Sequence, residues 1–214
     1  MKQFLTLNDL QNFDAQVALA KEIKANPYLY QELGKRKTLG LLFFNPSLRT
    51  RLSTQKAGRL LGMDVMVMNF SNEAWAIEYE HETIMKGLRS EHVKEAAQVV
   101  SQYCDVVGIR AFATLTDKEK DESEQVLQKF IQYASVPILN MESATAHPLQ
   151  ALADALTLTE LSLPKKPKVV LTWAPHPKAL PHAVGNSFAR MMEHQDADFV
   201  IANPEGYDLD PRIT

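Results

Sequence analysis

The sequence contains a single cysteine, Cys104, so the chain cannot form an internal disulfide bond. No apolar run approaches the roughly 20 residues that are needed to cross a bilayer. The first residues lead into polar ones rather than into the apolar core of a signal peptide. These absences argue against a disulfide scaffold and a membrane-spanning protein, and they favour a cytoplasmic location.

An excess of charge of either sign is also missing, because 23 Lys and Arg residues face 26 Asp and Glu residues, for a formal net charge of −3. Such a chain has no broad positive field for nucleic acid or anionic lipid, although a local basic cluster can still bind a small anion. We therefore expect no nucleic-acid and no membrane partner. With 45% hydrophobic and 23% charged residues, the 214-residue chain has the composition of a globular protein with a substantial core.

Two kinds of cofactor signature are absent from the sequence. The six histidines lack the short paired spacing of a closed zinc centre, and one cysteine cannot help to build it. Neither G-x-G-x-x-G nor G-x-x-x-x-G-K-[ST] occurs, so a nucleotide cofactor has little support. We expect no metal and no cofactor.

Short apolar runs alternate with helical patterns along the chain. Buried strands are predicted at residues 39–44, 64–70, 106–110, 136–140, 168–173 and 199–202. Helices are predicted between them, the first running from a cap at Ser47 to Leu61 before Gly62. This alternation predicts parallel sheets with right-handed crossovers, and hence an α/β fold with two doubly wound parallel-sheet domains.

A Pro-Lys-Lys-Pro stretch at residues 164–167 interrupts this alternation. We predict a first domain at residues 1–149 and the start of a second at residues 150–214. The second has only two predicted strands, which is too few for a stable independent sheet. We expect the rest of that domain to be missing from this sequence.

Residues able to carry chemistry follow three of the predicted strands. In an open parallel sheet, ligands bind beyond the carboxyl ends of the strands. Ser47-Leu48-Arg49-Thr50-Arg51 follows the first strand, where backbone N–H groups, hydroxyls and a guanidinium at a helix start favour a phosphate. Arg110 ends the third strand, and residues 142–150 follow the fourth.

Each of these clusters also has an ordinary structural interpretation. Ser47 can simply cap a helix with solvated arginines, Arg110 can be a strand-end cation, and Glu142 can be a solvated loop acid. His147 and Gln150 lie on one helical turn, where a lone histidine is more often structural. The convergence of all three clusters on one sheet edge is what favours a binding site.

Two of these segments resemble the signatures of the aspartate/ornithine carbamoyltransferase family. Residues 47–51 match its Ser-x-Arg-Thr-Arg signature, and residues 147–154 match its His-Pro-x-Gln…Ala-Asp signature. The resemblance covers essentially the whole chain. Leu48, residues 142–145 and residues 172–177 are similar to the branch that acts on N-acylated ornithine.

The resemblance implies transfer of a carbamoyl group from carbamoyl phosphate to the δ-amine of N-succinylornithine, or alternatively of N-acetylornithine, in arginine biosynthesis. It implies that the phosphate is bound by Ser47, Leu48, Arg49 and Thr50. It also implies that Arg110, His147 and Gln150 hold and polarise the carbamoyl oxygen, so that these three residues and Arg49 form the catalytic set. Arg51 is a weaker candidate, because it can serve helix packing instead.

Further roles follow from the same resemblance. Trp75 would enter the active site of a neighbouring subunit in a homotrimer and help to bind carbamoyl phosphate there; otherwise it packs on its own domain. Glu142 and His176 would contact the N-acylornithine. The family's His-Cys-Leu-Pro segment, and the later residues that grip the acceptor's carboxylate, are not found in this sequence.

Ser90 departs from the family pattern and bears on the acceptor. The resemblance places glutamate at this position in the acetyl-specific type and proline in the succinyl type. Because a carboxylate there would repel a succinyl group, the missing acid predicts a preference for N-succinylornithine. Ser90 could instead cap the following helix.

Two other functions stay open. A non-catalytic phosphate-binding regulatory subunit would keep the fold and the phosphate site but would not need the carbonyl donors. Carbamoyl transfer to aspartate or to plain ornithine is the third interpretation.

Overall fold

The computed structural model describes residues 3–70, 76–80, 89–161, 163–176 and 181–213. The strands in chain order are β1 (Gln3–Phe4), β2 (Thr38–Phe43), β3 (Asp64–Asn69), β4 (Ile77–Glu78), β5 (Glu91–His92), β6 (Val106–Arg110), β7 (Ile138–Glu142), β8 (Lys168–Thr172) and β9 (Asp198–Ala202). The helices are α1 (Phe13–Ala25), α2 (Arg49–Leu60), α3 (Val93–Tyr103), α4 (Lys118–Glu122), α5 (Gln125–Tyr133), α6 (Pro148–Glu160) and α7 (Ala183–Met192).

Five parallel strands form the main sheet in the order β1-β7-β6-β2-β3. Along the chain, β2 is followed by β3 on one side, and β6 then pairs with β2 on the other side. The strand order therefore reverses at β2. Such a reversal opens a crevice beyond the carboxyl ends of the two strands that flank it, here β2 and β6.

Helices cover both faces of this sheet, which confirms the predicted doubly wound α/β class. Leu41 and Leu42 alternate in direction along β2, and both are fully buried. Leu42 belongs to a core with the inward faces of α3 and α5, whereas Leu41 packs with Met141 of β7 on the opposite face. A further core joins α1, α6 and α7.

The fourth predicted strand is displaced along the chain, and this changes the interpretation of Glu142. The prediction of residues 136–140 is wrong by two positions, because the strand begins after Pro137, which has no N–H for the ladder. Glu142 is consequently the last residue of β7 and is buried, at 9% exposure. The alternative of a solvated loop acid is wrong.

The second β-α-β unit is formed by β8, α7 and β9, with β8 and β9 paired in parallel. Its residues alternate between exposed and half-buried along both strands. Helix α6 runs unbroken from Pro148 to Glu160, so the backbone shows no interruption at residues 149–150. The position of the domain boundary stays a prediction.

The N-terminal segment contains elements that the hydrophobic pattern did not reveal. Helix α1 buries only Phe13 and Val17, and its N-terminus is capped by Asn12, whose Oδ1 accepts from the N–H of Ala15 at 2.9 Å. The short strand β1 pairs with β7 at the sheet edge. In the described ranges, no helix combines the length and apolar character that a membrane span requires.

Candidate active site

The start of α2 lies beyond the carboxyl end of β2. The helix begins at Arg49, two residues after the predicted start, yet the Ser47 hydroxyl still accepts a hydrogen bond from the N–H of Thr50 at 3.2 Å. Leu48 and Arg49 are exposed. A helix start with an exposed arginine presents N–H groups, the positive end of a dipole and a guanidinium on one surface, which suits an anion.

Arg51 is held by the protein itself. Its guanidinium donates to Oδ1 of Asn69 at the end of β3 and lies 5.4 Å from the ring centre of Phe43. These contacts fasten α2 to the sheet edge. The structure therefore places Arg51 in helix packing, which was the alternative to a substrate contact.

Arg110 is the last residue of β6 and is buried, at 6% exposure. One terminal nitrogen donates to the carbonyl oxygens of Asn45 at 3.2 Å and Pro46 at 2.8 Å, and the guanidinium carbon lies 3.8 Å from the ring centre of Phe112. Arg110 thus fixes the turn that leads into α2. The end of β6 is thereby joined to the turn that precedes the first signature.

A second terminal nitrogen of Arg110 pairs with Glu142 Oε2 at 3.2 Å, and His147 Nε2 lies 3.5 Å from the same oxygen. A bulge makes this arrangement possible. Ile109 pairs with Asn140, but the next residue, Arg110, pairs with Glu142, so the register shifts by one residue. The resulting Arg110–Glu142–His147 cluster brings together three of the predicted site residues.

Burial and mutual charge set the protonation of this cluster. Burial raises the pKa of Glu142 and lowers that of Arg110, while their mutual attraction opposes both shifts. Burial, assisted by the charge of Arg110, lowers the pKa of His147 to about 4. The imidazole of His147 is therefore neutral at pH 7, and a neutral imidazole can donate one hydrogen bond and accept another.

Two nitrogens of the cluster keep unused hydrogen-bonding capacity. Arg110 Nε and His147 Nδ1 are buried and have no hydrogen-bond partner within the described part of the chain. A buried polar group without a partner costs free energy, and such groups in native structures require a functional or structural explanation. A bound carbonyl compound would supply such an explanation.

Apart from the residues at the start of α2, three predicted site residues lie outside the cluster. Gln150 is exposed on the first turn of α6 and donates to Asp154 Oδ1 at 2.9 Å. His176 is exposed after β8, and its carbonyl oxygen accepts from the hydroxyl of Tyr207 at 3.3 Å. Ser90 is exposed, and its N–H donates to the carbonyl of Ala76 at 3.2 Å.

The alternative role of Ser90 as a helix cap is wrong. Helix α3 is capped by His92, whose Nδ1 accepts from the N–H of Lys94 at 3.1 Å. Trp75 lies outside the described residues. In the part of the chain that is described, no group of three or more His, Cys, Asp or Glu side chains could hold a metal ion.

Several residues that shape the site were missed by the sequence interpretation. Phe112 lies against the guanidinium of Arg110, and Ser187 Oγ on α7 accepts from the N–H of His147 at 2.7 Å. Asn140 is completely buried in β7. An asparagine inside an apolar strand run was a usable signal, because buried polar side chains are uncommon and are hydrogen-bonded.

Comparison with known proteins matches this chain to one family. Residues 2–160 match the family model described as aspartate/ornithine carbamoyltransferase, carbamoyl-P binding domain. A curated protein of Bacteroides thetaiotaomicron, named N-succinylornithine carbamoyltransferase, is 50% identical over 213 residues, covering 100% of this chain and 67% of its own length.

Solved structures agree with this similarity. An N-acetyl-L-ornithine transcarbamylase variant with lysine replaced by alanine, complexed with PALAO, matches with a TM-score of 0.91 and 39% identity. A variant of the same kind of enzyme with glutamate replaced by serine, complexed with carbamyl phosphate and N-succinyl-L-norvaline, matches with a TM-score of 0.89 and 39% identity. Each match covers 100% of this chain and 65% of the other, so the chain spans about two thirds of these proteins.

The depressed pKa of His147 predicts a specific pH dependence of stability. Above pH 6.5 the imidazole is neutral in the folded and in the unfolded protein. Below pH 6.5 it gains a proton in the unfolded chain but not in the folded one, where its pKa is about 4. Stability is therefore lost as the pH falls from 6.5 toward 4. From pH 7.5 to 5.0 this residue should cost about 2 kcal/mol, measured by urea unfolding.

The His147→Gln variant should lack this loss, so its free energy of unfolding should fall by about 2 kcal/mol less than that of the wild type over the same interval. His182→Gln is the control, because His182 is exposed, and it should keep the wild-type pH dependence. Equal pH dependence of the wild type and His147→Gln would contradict the neutral buried imidazole.

Proposed function

The chain belongs to the aspartate/ornithine carbamoyltransferase family, and from this premise we propose that it transfers a carbamoyl group from carbamoyl phosphate to the δ-amine of an N-acylornithine. N-Succinylornithine is the preferred acceptor, and N-acetylornithine is the alternative. The products are the N-acylcitrulline and phosphate, in cytoplasmic arginine biosynthesis. The observation that carries the proposal is the buried Arg110–Glu142–His147 cluster beside the start of α2.

The two halves of carbamoyl phosphate have different partners in this proposal. Ser47, Leu48, Arg49 and Thr50 bind the phosphate at the start of α2. Arg110 and His147 face the carbamoyl oxygen, and Gln150 joins them by leaving its contact with Asp154. The chemistry suits the geometry, because a fixed guanidinium and a neutral imidazole both donate hydrogen bonds to a carbonyl oxygen.

The reaction needs no nucleophile from the protein. When the neutral δ-amine attacks the carbamoyl carbon, negative charge develops on the carbonyl oxygen, and the carbon–oxygen bond to phosphate then breaks. Donors that are already in place stabilise this charge more than they stabilise the ground state. The departing phosphate accepts the proton that the amine releases.

Preference for the acceptor depends on charge near Ser90. Glu142 and His176 contact the N-acylornithine in this proposal, and a carboxylate at residue 90 would repel the terminal carboxylate of a succinyl group. A glutamate-to-serine variant of N-acetyl-L-ornithine transcarbamylase is known in complex with carbamyl phosphate and N-succinyl-L-norvaline, so an enzyme of this kind holds a succinylated ligand once one of its acids has become serine. The 50% identical relative is named for the succinyl compound.

Acceptor profiling tests the function directly. Protein expressed from the complete gene is incubated with carbamoyl phosphate and, separately, N-succinylornithine, N-acetylornithine, ornithine and aspartate. We expect kcat/KM for N-succinylornithine to exceed that for N-acetylornithine at least tenfold, on the order of the cost of one unfavourable charge contact, and Ser90→Glu to reverse the order.

Equal turnover of both acylated ornithines would contradict the preference, and turnover of aspartate or ornithine alone would contradict the acceptor class. Tight binding of carbamoyl phosphate with no transfer to any acceptor would favour the non-catalytic regulatory subunit.

Arg49 provides a test of the phosphate site. Arg49→Ala should weaken carbamoyl phosphate binding and lower kcat/KM by about two orders of magnitude, because one preorganised charged donor is lost. Arg59→Ala is the matched control, since Arg59 is an exposed arginine on the last turn of the same helix. Near-normal kinetics of Arg49→Ala would remove the residue from the site.

We further propose that the enzyme is a homotrimer whose sites include Trp75 from a neighbouring subunit. If so, mixing Trp75→Ala and Arg49→Ala subunits after dissociation should restore about a quarter of wild-type activity, because one site in four then combines two intact residues. Mass measurement confirms subunit exchange in the same sample. Exchange without recovered activity would refute the shared site.

A further inference from the structure

We propose that Glu124 is a positioning residue, whose carboxylate holds the 143–146 loop that fixes Glu142 and His147 relative to each other. The expected effect on carbamoyl phosphate binding rests on the proposed function. The hydrogen bonds of Glu124 and the expected effect on the His147 pKa do not depend on it. Glu124 lies between α4 and α5 and contacts the loop at the N–H of Thr145, whereas α7 contacts the carbonyl of the same residue.

The backbone of Glu124 adopts an uncommon conformation. Its φ of 49° and ψ of 41° lie in the left-handed region. Glycine adopts this region freely, asparagine and aspartate adopt it less readily, and other residues adopt it rarely. A glycine would occupy this position without steric cost. The presence of glutamate there is consistent with a contribution from its side chain.

Three donors of the loop converge on one carboxylate oxygen. Glu124 Oε1 accepts from Ser143 Oγ at 2.5 Å, from the N–H of Thr145 at 3.0 Å and from Thr145 Oγ1 at 2.7 Å. Hydrogen bonds to an ionised acceptor are about twice as strong as those between neutral groups. The carboxylate therefore holds both the first part and the middle of the loop.

From Ser143 the network continues into the strand that carries Glu142. Ser143 Oγ accepts from Asn140 Nδ2 at 3.0 Å and from the N–H of Ala146 at 3.2 Å. Asn140 Oδ1 in turn accepts from the N–H of Glu142 at 2.9 Å. Because Asn140 is fully buried and Ser143 is 2% exposed, these groups cannot exchange their partners for water without moving.

The other end of the loop leads directly into His147. Ser143 and Ala146 close a turn through the N–H of Ser143, which donates to the Ala146 carbonyl at 2.9 Å. Helix α7 also holds this stretch, since Asn186 Nδ2 donates to the Thr145 carbonyl at 3.1 Å and Ser187 Oγ accepts from the N–H of His147. Loss of Glu124 should therefore displace the loop without unfolding it.

Displacement of the loop has a spectroscopic consequence at His147. Among the described residues, the charged groups that face the imidazole are Arg110 from β6 and Glu142 from β7. If the loop relaxes, water reaches the imidazole and its distance from Arg110 grows. Both changes raise the pKa of His147 from about 4 toward the ordinary value.

The test compares Glu124→Ala, Glu124→Gly and Glu124→Gln in protein expressed from the complete gene, by NMR titration of His147 and by calorimetric titration with carbamoyl phosphate. The alanine and glycine variants should move the His147 pKa to about 5 or higher and weaken carbamoyl phosphate binding about tenfold. Glu124→Gln should restore most of both properties, because its amide oxygen still accepts hydrogen bonds. Glu119→Gln, an exposed acid on α4, makes the same charge change and should alter neither.

The glycine variant keeps the test decisive if the alanine variant is poorly folded, since glycine removes the backbone strain together with the side chain. A folded Glu124→Gly protein with the wild-type His147 pKa and affinity would overturn the proposal. The readouts also separate the two hypotheses. If the variants change the His147 pKa but no form of the complete protein transfers a carbamoyl group, the proposed function alone is contradicted. If the wild type transfers the group and the variants keep its His147 pKa and affinity, the positioning role alone is contradicted.

Discussion

The buried guanidinium of Arg110 is the constraint on which the site depends. A buried charge is costly unless it is paired and hydrogen-bonded, and Arg110 meets this requirement with Glu142 and with the carbonyl oxygens of Asn45 and Pro46. These partners belong to separate segments, after β2 and at the end of β7. One charge therefore ties together the turn before α2 and the strand before α6. Removing either Arg110 or Glu142 would leave the other charge buried and unpaired.

This arrangement sets the electrostatic character of the pocket before any ligand arrives. Arg110 cannot rotate freely, because three oxygens and the ring of Phe112 restrict it. Donors fixed in this way need no reorganisation when charge develops on a substrate oxygen, which is where preorganised sites gain their advantage. Fixing these donors costs free energy during folding, and burial of the surrounding cores, which include the fully buried Leu41 and Leu42 of β2, offsets that cost.

Local sequence patterns predicted much of this architecture, but they could not predict features that depend on the pairing of distant segments. Residues 106–110 were predicted as a strand with the observed bounds, because a short apolar run ends on a cation. The predicted convergence on one sheet edge is confirmed for Arg110, Glu142 and His147. The burial of Glu142 was missed, because it follows from the bulge that aligns Glu142 with Arg110. The register between two strands cannot be predicted from the sequence of either strand alone. Helix α1 was missed because its buried face contains so few residues.

The neutral state of His147 preserves the ion pair between Arg110 and Glu142. A second cation beside Arg110 would compete for Glu142 and weaken the ion pair that holds the guanidinium in place. Because burial and Arg110 keep the imidazole uncharged far below pH 7, His147 adds no charge to the cluster over the physiological range. The start of α2 and Arg110 then offer positive charge to an anionic ligand, and in the proposed function they receive its phosphate and its carbonyl oxygen. Charge and hydrogen-bonding capacity are thus divided between two neighbouring strand ends, and the reversal of strand order at β2 is the feature of the fold that places them side by side.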